Sequence, residues 1–375
     1  MKWQTVTEAC EILGIKPASL YAYASRGLVR ARASDIDPRS SLYSAADIDA
    51  LLHRKRAGRA RNAIAQGAMG WGEPVLDSAI TTVQNGRLIY RGHDAVTLSD
   101  TYSLEEVASL LWGEVGLPDA PPVQSLRIST DPKTCGFKFL AASAARALPA
   151  QANASARLRT EASALLVGLS SALSLGEDEG LAHEKLAKRW SLNQPQADIL
   201  RRALVLLADH ELNPSTFSAR IAASTGASLA ACCLAGYATL TGPFHGEAAA
   251  KALDFLHAAH RIGPKAAVVA TLERGDVVAG IGHKLYPDGD PRARALFQAM
   301  SLSPLLQDAI MEAEKAWSAP ANIDMALSVL TLQLGLPTSA PFTLFATARM
   351  AGWLAHAHEQ IQSGQMIRPR ARYRA

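Results

Sequence analysis

Leu240-Thr-Gly-Pro-Phe-His-Gly-Glu-Ala-Ala-Ala-Lys-Ala-Leu253 and, further on, Val277-Val-Ala-Gly-Ile-Gly-His-Lys-Leu-Tyr-Pro-Asp-Gly-Asp-Pro-Arg292 decide how the chain reads. Each places a histidine beside glycines, where a helix or an apolar run meets a turn. Glycine admits unusual dihedrals and leaves room for a ligand or another backbone to come close. An imidazole in such a place stands near its working pKa. Taken singly, His245 and His283 are each equally compatible with an ordinary loop histidine.

The totals bound the answer. A chain of 375 residues with 49% hydrophobic and 19% charged side chains has ample material for a globular core and more than one unit. Alanine is abundant and aromatic residues are only 6%, which favours helix over sheet. The apolar run Ala227–Leu240 is too short and too interrupted to span a bilayer and reads as a buried helix. Met1-Lys2-Trp3-Gln4 leads straight into a helical pattern with no secretory signal ahead of it. Cys10, Cys135, Cys232 and Cys233 lack metal-ligand spacing and read as reduced thiols of a cytoplasmic protein. Charge is uneven: residues 1–65 carry 11 Lys/Arg against 6 Asp/Glu, an excess of +5, while the remainder balances near zero. That suggests a separate partner for the N-terminal segment.

Along the chain, Val6, Ala9, Ile12 and Leu13 have helical spacing up to Gly14, and a second helix spans Pro17–Ser25 before Gly27. Short β-prone runs follow at Leu28–Arg30 and Leu42–Tyr43, then a helix from Ala45 to about Arg56. This order resembles the winged helix-turn-helix of MerR-type and excisionase-type regulators. The resemblance implies DNA contacts from Lys16, Ser19, Tyr21, Tyr23, Arg26 and Arg30. A small module with a solvated charged face, or one mediating dimer contacts, fits the same residues. Asn85-Gly86 between β-prone runs predicts a hairpin ending in Tyr90-Arg91-Gly92, and Ser103–Gly113 a helix. Residues 117–135 are proline-rich and read as loop. Helix follows helix from Gly136 to Leu207.

Four further blocks complete a pattern with the opening stretches. They are Asp209-His210-Glu211-Leu212-Asn213, Asn322-Ile323-Asp324, Ala348-Arg349-Met350-Ala351-Gly352-Trp353, and Ile367-Arg368-Pro369-Arg370. In this order, Gly-Pro-x-His-Gly, Gly-x-Gly-His-x-x-Tyr-x-x-x-Asp-Pro-Arg and their companions resemble the citrate synthase family from about residue 75 to the C-terminus. Asp324 read alone is equally a helix cap. The family usually has an aromatic residue where Met325 stands.

The resemblance implies a mainly α fold: a large helical domain with an inserted small one, following the winged helix-turn-helix unit. Expected bounds are residues 1–62 for the winged unit, 63–245 and 337–375 for the large domain, and 246–336 for the small one. It implies a transferase of the tricarboxylic acid cycle condensing acetyl-CoA with oxaloacetate, with CoA as co-substrate, no tightly bound cofactor and no metal. By resemblance Asp324 is the base, His245 the donor to the thioester oxygen and His283 the group polarising the ketone. Arg292, Arg349 and His210 hold oxaloacetate, and Arg368 reaches across a homodimer. Val277, Val278, Gly280 and Ile281 line the adenine of CoA. Pro287 stands where some relatives place a basic residue, so Lys284 or another cation would meet the CoA phosphates. The same residues suit a 2-methylcitrate synthase using propionyl-CoA, since one methylene changes discrimination by only about 1–3 kcal/mol. A transcription regulator with a citrate-synthase-like sensor domain is the third reading.

Overall fold

The computed structural model describes residues 3–25, 28–34, 40–52, 76–113, 129–150, 155–176 and 179–371. The chain divides into two compact units, residues 1–77 and 78–375.

In the first unit β1 (Trp3–Gln4) leads into α1 (Val6–Leu13) and α2 (Pro17–Ser25), followed by β2 (Ala31–Ala33), β3 (Ser41–Ser44) and α3 (from 45 through 52). Thr5 and Glu8 form a reciprocal capping box at the start of α1, and Gly14 ends it in the left-handed region at φ +60°. The sheet is antiparallel in the order β1-β3-β2, with Gln4 opposite Tyr43 and Arg32 opposite Leu42. Ala9, Leu13, Leu20, Val29, Tyr43 and Ile48 make its core.

The strand expected at Leu28–Arg30 lies three residues later, at Ala31–Ala33. Val29 turns into the core instead, and Asp47 takes Arg30. The Arg30 Nε and Nη2 each donate to the Asp47 carboxylate at 2.8 Å, holding that carboxyl well below the usual range. Of the residues expected to contact DNA, Lys16, Ser19 and Tyr21 are exposed and Tyr23 packs against the core. Arg30 is engaged by Asp47, and Arg26 lies outside the described residues.

The second unit opens with the hairpin β4 (Thr81–Gln84) and β5 (Arg87–Tyr90), to which β6 (His93–Asp94) adds. Asn85 at φ +51° and Gly86 at φ +70° supply the two left-handed residues such a tight turn needs. Helices then follow: α4 (Ala95–Ser99), α5 (Leu104–Trp112), α6 (Pro132–Arg146), α7 (Ser155–Leu173), α8 (Ala182–Arg189) and α9 (Gln194–Leu207). After them come α10 (Pro214–Ser224), α11 (Leu229–Leu240), α12 (Ala248–Ile262), α13 (Pro264–Glu273) and α14 (Pro291–Gln298). The series ends with α15 (Pro304–Trp317), α16 (Ile323–Gln333) and α17 (Ala340–Ser363). The expected 117–135 loop is shorter than its composition suggested: Asp131 caps α6, so residues 132–135 are helical, while 117–128 lie outside the described residues.

The apolar run Ala227–Leu240 is the buried helix α11, which Ser228 caps. α17 is the central element. Buried from Thr343 to Ala357, it packs on α5, α7, α9, α10 and α11. Helices α12 to α16 pack mostly on one another and meet the rest chiefly through α16 and α12 against α17 and α14 against α9. His245 and the start of α16 therefore lie near where these two groups of helices meet.

Candidate active site

Two segments far apart in sequence are stitched together by backbone. Ile281 and Ala321 form an antiparallel bridge, the Gly282 N–H donates to the Pro320 carbonyl at 2.7 Å, and the Asn322 N–H donates to that of Gly280 at 2.8 Å. Asn322 Nδ2 adds a bond to the Gly282 carbonyl at 2.7 Å. A glycine is required at 280: it sits at φ +84°, and a Cβ there would lie 2.8 Å from the Met325 nitrogen. This stitch fixes His283, just after one side of the bridge, beside the N-terminus of α16, just after the other.

Asn322, not Asp324, caps α16. Its Oδ1 accepts the Asp324 N–H at 2.9 Å, which leaves the Asp324 carboxylate free of the capping task. Asp324 lies in the first turn, where the helix dipole favours an anion. Burial outweighs that, with Asp290 nearby adding to it and Arg292 and Arg349 opposing, and the carboxyl is pushed up to about 6. A carboxylate that holds its proton until near neutrality is a strong enough base to work at physiological pH.

Arg292 and Asp290 form the rigid wall. The guanidinium is almost inaccessible and forks onto Asp290 at 3.0 and 2.8 Å, while the Ile323 N–H donates to the same carboxylate at 3.0 Å. Asp290 thus ties Arg292 to the start of α16. The Arg292 guanidinium also stands over the Tyr286 ring, with 5.4 Å to its centroid. The Tyr286 hydroxyl is 3.0 Å from His210 Nε2, and the His210 and His283 rings meet edge to face at 5.3 Å.

All three imidazoles are held neutral. Burial is the main cause for each, reinforced by Arg292 at His210 and His283 and by Arg349 at His245. His245 and His283 are pushed down to about 4, and His210 lies well below its ordinary value. In His283 the tautomer is set, because Nδ1 accepts the Leu285 N–H at 3.1 Å and the ring proton must sit on Nε2. In His245 the tautomer follows the hydroxyl of Ser215, whose Oγ is 2.9 Å from Nε2. Trp353 Nε1 donates to the same oxygen at 3.2 Å, and the single serine proton can go to Asn213 Oδ1, 2.7 Å away, or to His245.

Arg349, on α17, is also inaccessible. Among the described residues only its Nε donates a hydrogen bond, to the Leu207 carbonyl at 3.0 Å, and the guanidinium lies 4.7 Å from the Phe345 ring centroid. Burial lowers it to about 10. His245 meets the same Phe345 ring edge to face at 6.0 Å.

His210, His245, His283, Arg292, Asp324 and Arg349 are thereby linked through direct contacts, Phe345 and mutual electrostatics. Of the remaining expected residues, Arg368 is exposed on the segment after α17. Val277 is exposed, Val278 is buried, and Gly280 and Ile281 belong to the stitch. Tyr286, Asp290, Ser215, Asp209 and His356 were not singled out from sequence. Tyr286 and Asp290 lie within the quoted motif, and Asp209 adjoins His210, so adjacency was the available signal.

A buried carboxylate titrating near neutrality, neutral imidazoles and two arginines define an acid–base site for an anionic carbonyl compound on a mainly helical fold. Residues 68–190 and 175–370 match the family described as citrate synthase, C-terminal domain, and the chain belongs to the citrate synthase family. It is similar to citrate synthase 2 of Bacillus subtilis, 28% identical over 79% of this chain and 92% of the relative. It is also similar to 2-methylcitrate synthase of Shewanella oneidensis, 26% identical over 80% of this chain and 93% of the relative. A likeness in fold extends to the citrate synthase of Thermoplasma acidophilum solved as a ternary complex with carboxymethyl coenzyme A and oxaloacetate, with TM-score 0.65 and 21% identity. That match covers 81% of this chain and 94% of the other.

Proposed function

We propose that this chain condenses an acyl-CoA with oxaloacetate and hydrolyses the product thioester, as a citrate synthase acting on acetyl-CoA. The observation that carries this is Asp324: a carboxyl pushed up to about 6, freed from capping, at a helix start ringed by neutral histidines and arginines. Asp324 takes a proton from the methyl carbon next to the thioester. The developing enolate oxygen accepts a hydrogen bond from His245. Because Nε2 faces Ser215, the donor is Nδ1–H, which requires the serine hydroxyl to turn toward the ring. The enol carbon attacks the ketone of oxaloacetate, whose oxygen His283 Nε2–H polarises. Arg349, Arg292 and His210 orient the carboxylates, and water cleaves the citryl thioester to release CoA.

Propionyl-CoA is the second substrate reading, favoured by the similarity to a 2-methylcitrate synthase. The decisive experiment is release of free CoA thiol in the presence of oxaloacetate, with acetyl-CoA and propionyl-CoA in parallel. Faster turnover with acetyl-CoA supports the proposal. Faster turnover with propionyl-CoA transfers it to the second reading, and no turnover by folded protein that binds oxaloacetate transfers it to a sensor. In free enzyme, kcat/KM should fall as pH drops through about 6, where Asp324 gains its proton. A flat profile between pH 5 and 8 would exclude Asp324 as base.

Several finer features belong to the same proposal. The protein acts as a cytoplasmic homodimer in which Arg368 completes the partner's site. The 246–336 region closes as a small domain over oxaloacetate, which binds first. Val277, Val278, Gly280 and Ile281 hold the adenine. For residues 1–62, two helices followed by an antiparallel sheet support a winged helix-turn-helix that binds DNA through Lys16, Ser19, Tyr21 and Tyr23. Absence of duplex retardation at low salt would remove that part.

A further inference from the structure

One face of α17 carries a second layer of charge behind the site. Phe345, Arg349, Gly352, Trp353, His356 and Gln360 follow helical spacing, so they lie along a single stripe. Against this stripe rests Asp209, the residue before His210. Its carboxylate is fully buried, and its Oδ2 is 3.1 Å from His356 Nε2, which is equally inaccessible. Gly352 makes the approach possible: a Cβ there would run into the Asp209 carboxylate and lie 2.7 Å from the Ala208 carbonyl. The Gly352 N–H donates to that carbonyl at 3.1 Å.

The proton on His356 can be placed. Arg220 Nη1 lies 3.3 Å from His356 Nδ1, and arginine only donates, so Nδ1 accepts and the ring proton sits on Nε2, facing Asp209. Arg220 is itself fixed by Glu359 at 2.7 Å and Gln360 at 2.9 Å. Asp209 therefore receives a neutral N–H from His356 and remains an anion. The other groups facing it are Arg349 on α17, Thr81 on β4 and Tyr90 on β5, whose hydroxyl donates to the Asp209 carbonyl at 3.1 Å. Asp209 is the first of the groups that support the charge of Arg349, ahead of Tyr90 and Asp324, yet the Arg349 Nη1 and Nη2 make no hydrogen bond among the described residues.

We propose that His356 and Asp209 are positioning residues that hold Arg349 charged, with both terminal nitrogens presented to a carboxylate of the keto acid. His356 supplies the hydrogen bond that keeps Asp209 ionised without adding a second full charge beside Arg220. Asp209 balances Arg349 from behind and, through its own backbone, sets the turn that presents His210. A direct Asp–Arg fork would have consumed the guanidinium, whereas this arrangement leaves it free.

The inference rests on reading Arg349 as a ligand of oxaloacetate, and its test separates the two. His356→Leu, His356→Gln and Asp209→Asn are made in the full chain. Oxaloacetate affinity is measured by calorimetry, and KM for each substrate and kcat are measured across pH 6–9. The expected result for H356L is a rise in oxaloacetate KM of roughly ten- to a hundredfold, steeper at low pH because Asp209 then protonates more readily. KM for the acyl-CoA and kcat at saturating oxaloacetate should stay within about threefold. H356Q, whose amide can donate to Asp209 and whose carbonyl can accept from Arg220, should recover most of the loss. Asp209→Asn should weaken oxaloacetate without the pH dependence. Folded H356L with unchanged oxaloacetate affinity would overturn the positioning role, as would losses in all parameters that H356Q fails to rescue. Wild-type protein that binds no oxaloacetate would instead remove the functional reading, and this inference with it.

Discussion

The 283–292 segment and the face of α17 each bury an arginine at the site, and they do so in opposite ways. Arg292 spends Nε and Nη2 on Asp290 at contact distance, and its positive charge is held more firmly than in water. Arg349 has its balancing carboxylate at one remove and is lowered to about 10. The first arrangement builds structure, since Asp290 also binds the start of α16. The second holds a charge in reserve for something that brings its own anion. A buried pair contributes little net stability, but breaking one leaves an uncompensated charge that is costly. The two arginines should therefore fail differently.

The largest effects come from exchanging them. Arg349→Leu should weaken oxaloacetate by about 100-fold or more, the scale of a lost buried charge-assisted contact of about 3 kcal/mol, with a smaller loss of Tm than Arg292→Leu because Asp209 keeps its hydrogen bond with His356. Arg292→Leu should lower stability by about 3–5 kcal/mol, because Asp290 is left buried and unpaired. Calorimetric titration and thermal unfolding of both variants check this, and the same ranking in both measurements would break the contrast.

Two glycines sharpen it. Gly280→Ala places a side chain against the Met325 backbone at a left-handed φ, so about 1–3 kcal/mol of stability and much of kcat should go. Gly352→Ala meets no such dihedral and removes a poor helix former, yet it pushes on Asp209, so the predicted loss is in oxaloacetate KM with kcat kept. Steady-state kinetics separates the two. The smallest effect is Asn322→Ala, which removes the α16 cap and its bond to Gly282 at a cost of about 1 kcal/mol by chemical denaturation.

Much of the fold was legible because local chemistry determined it. Asn85-Gly86 set its hairpin, Ser103 with Glu106 capped α5, and Ser228 marked the start of α11. Strand position in the first unit was less legible, since whether Val29 pairs or packs depends on Asp47 holding Arg30 seventeen positions away. At the site, His245 and His283 stood out beside glycines and turns, while His210 and the arginines entered through the family resemblance. Their supports did not. Asp209 and His356 are 147 positions apart, and nothing in the spacing of either reveals the other. Asp324 taken alone was equally a helix cap, a place that Asn322 holds.

The most direct test of the central claim is Asp324→Asn, with oxaloacetate affinity and CoA thiol release measured on the same preparation. Removing a positioned general base costs roughly 10²–10⁴-fold. The predicted result is turnover reduced on that scale while oxaloacetate still binds within a few fold of the wild type. Retained turnover, or binding lost together with turnover in a folded protein, would contradict the assignment of Asp324 as the base.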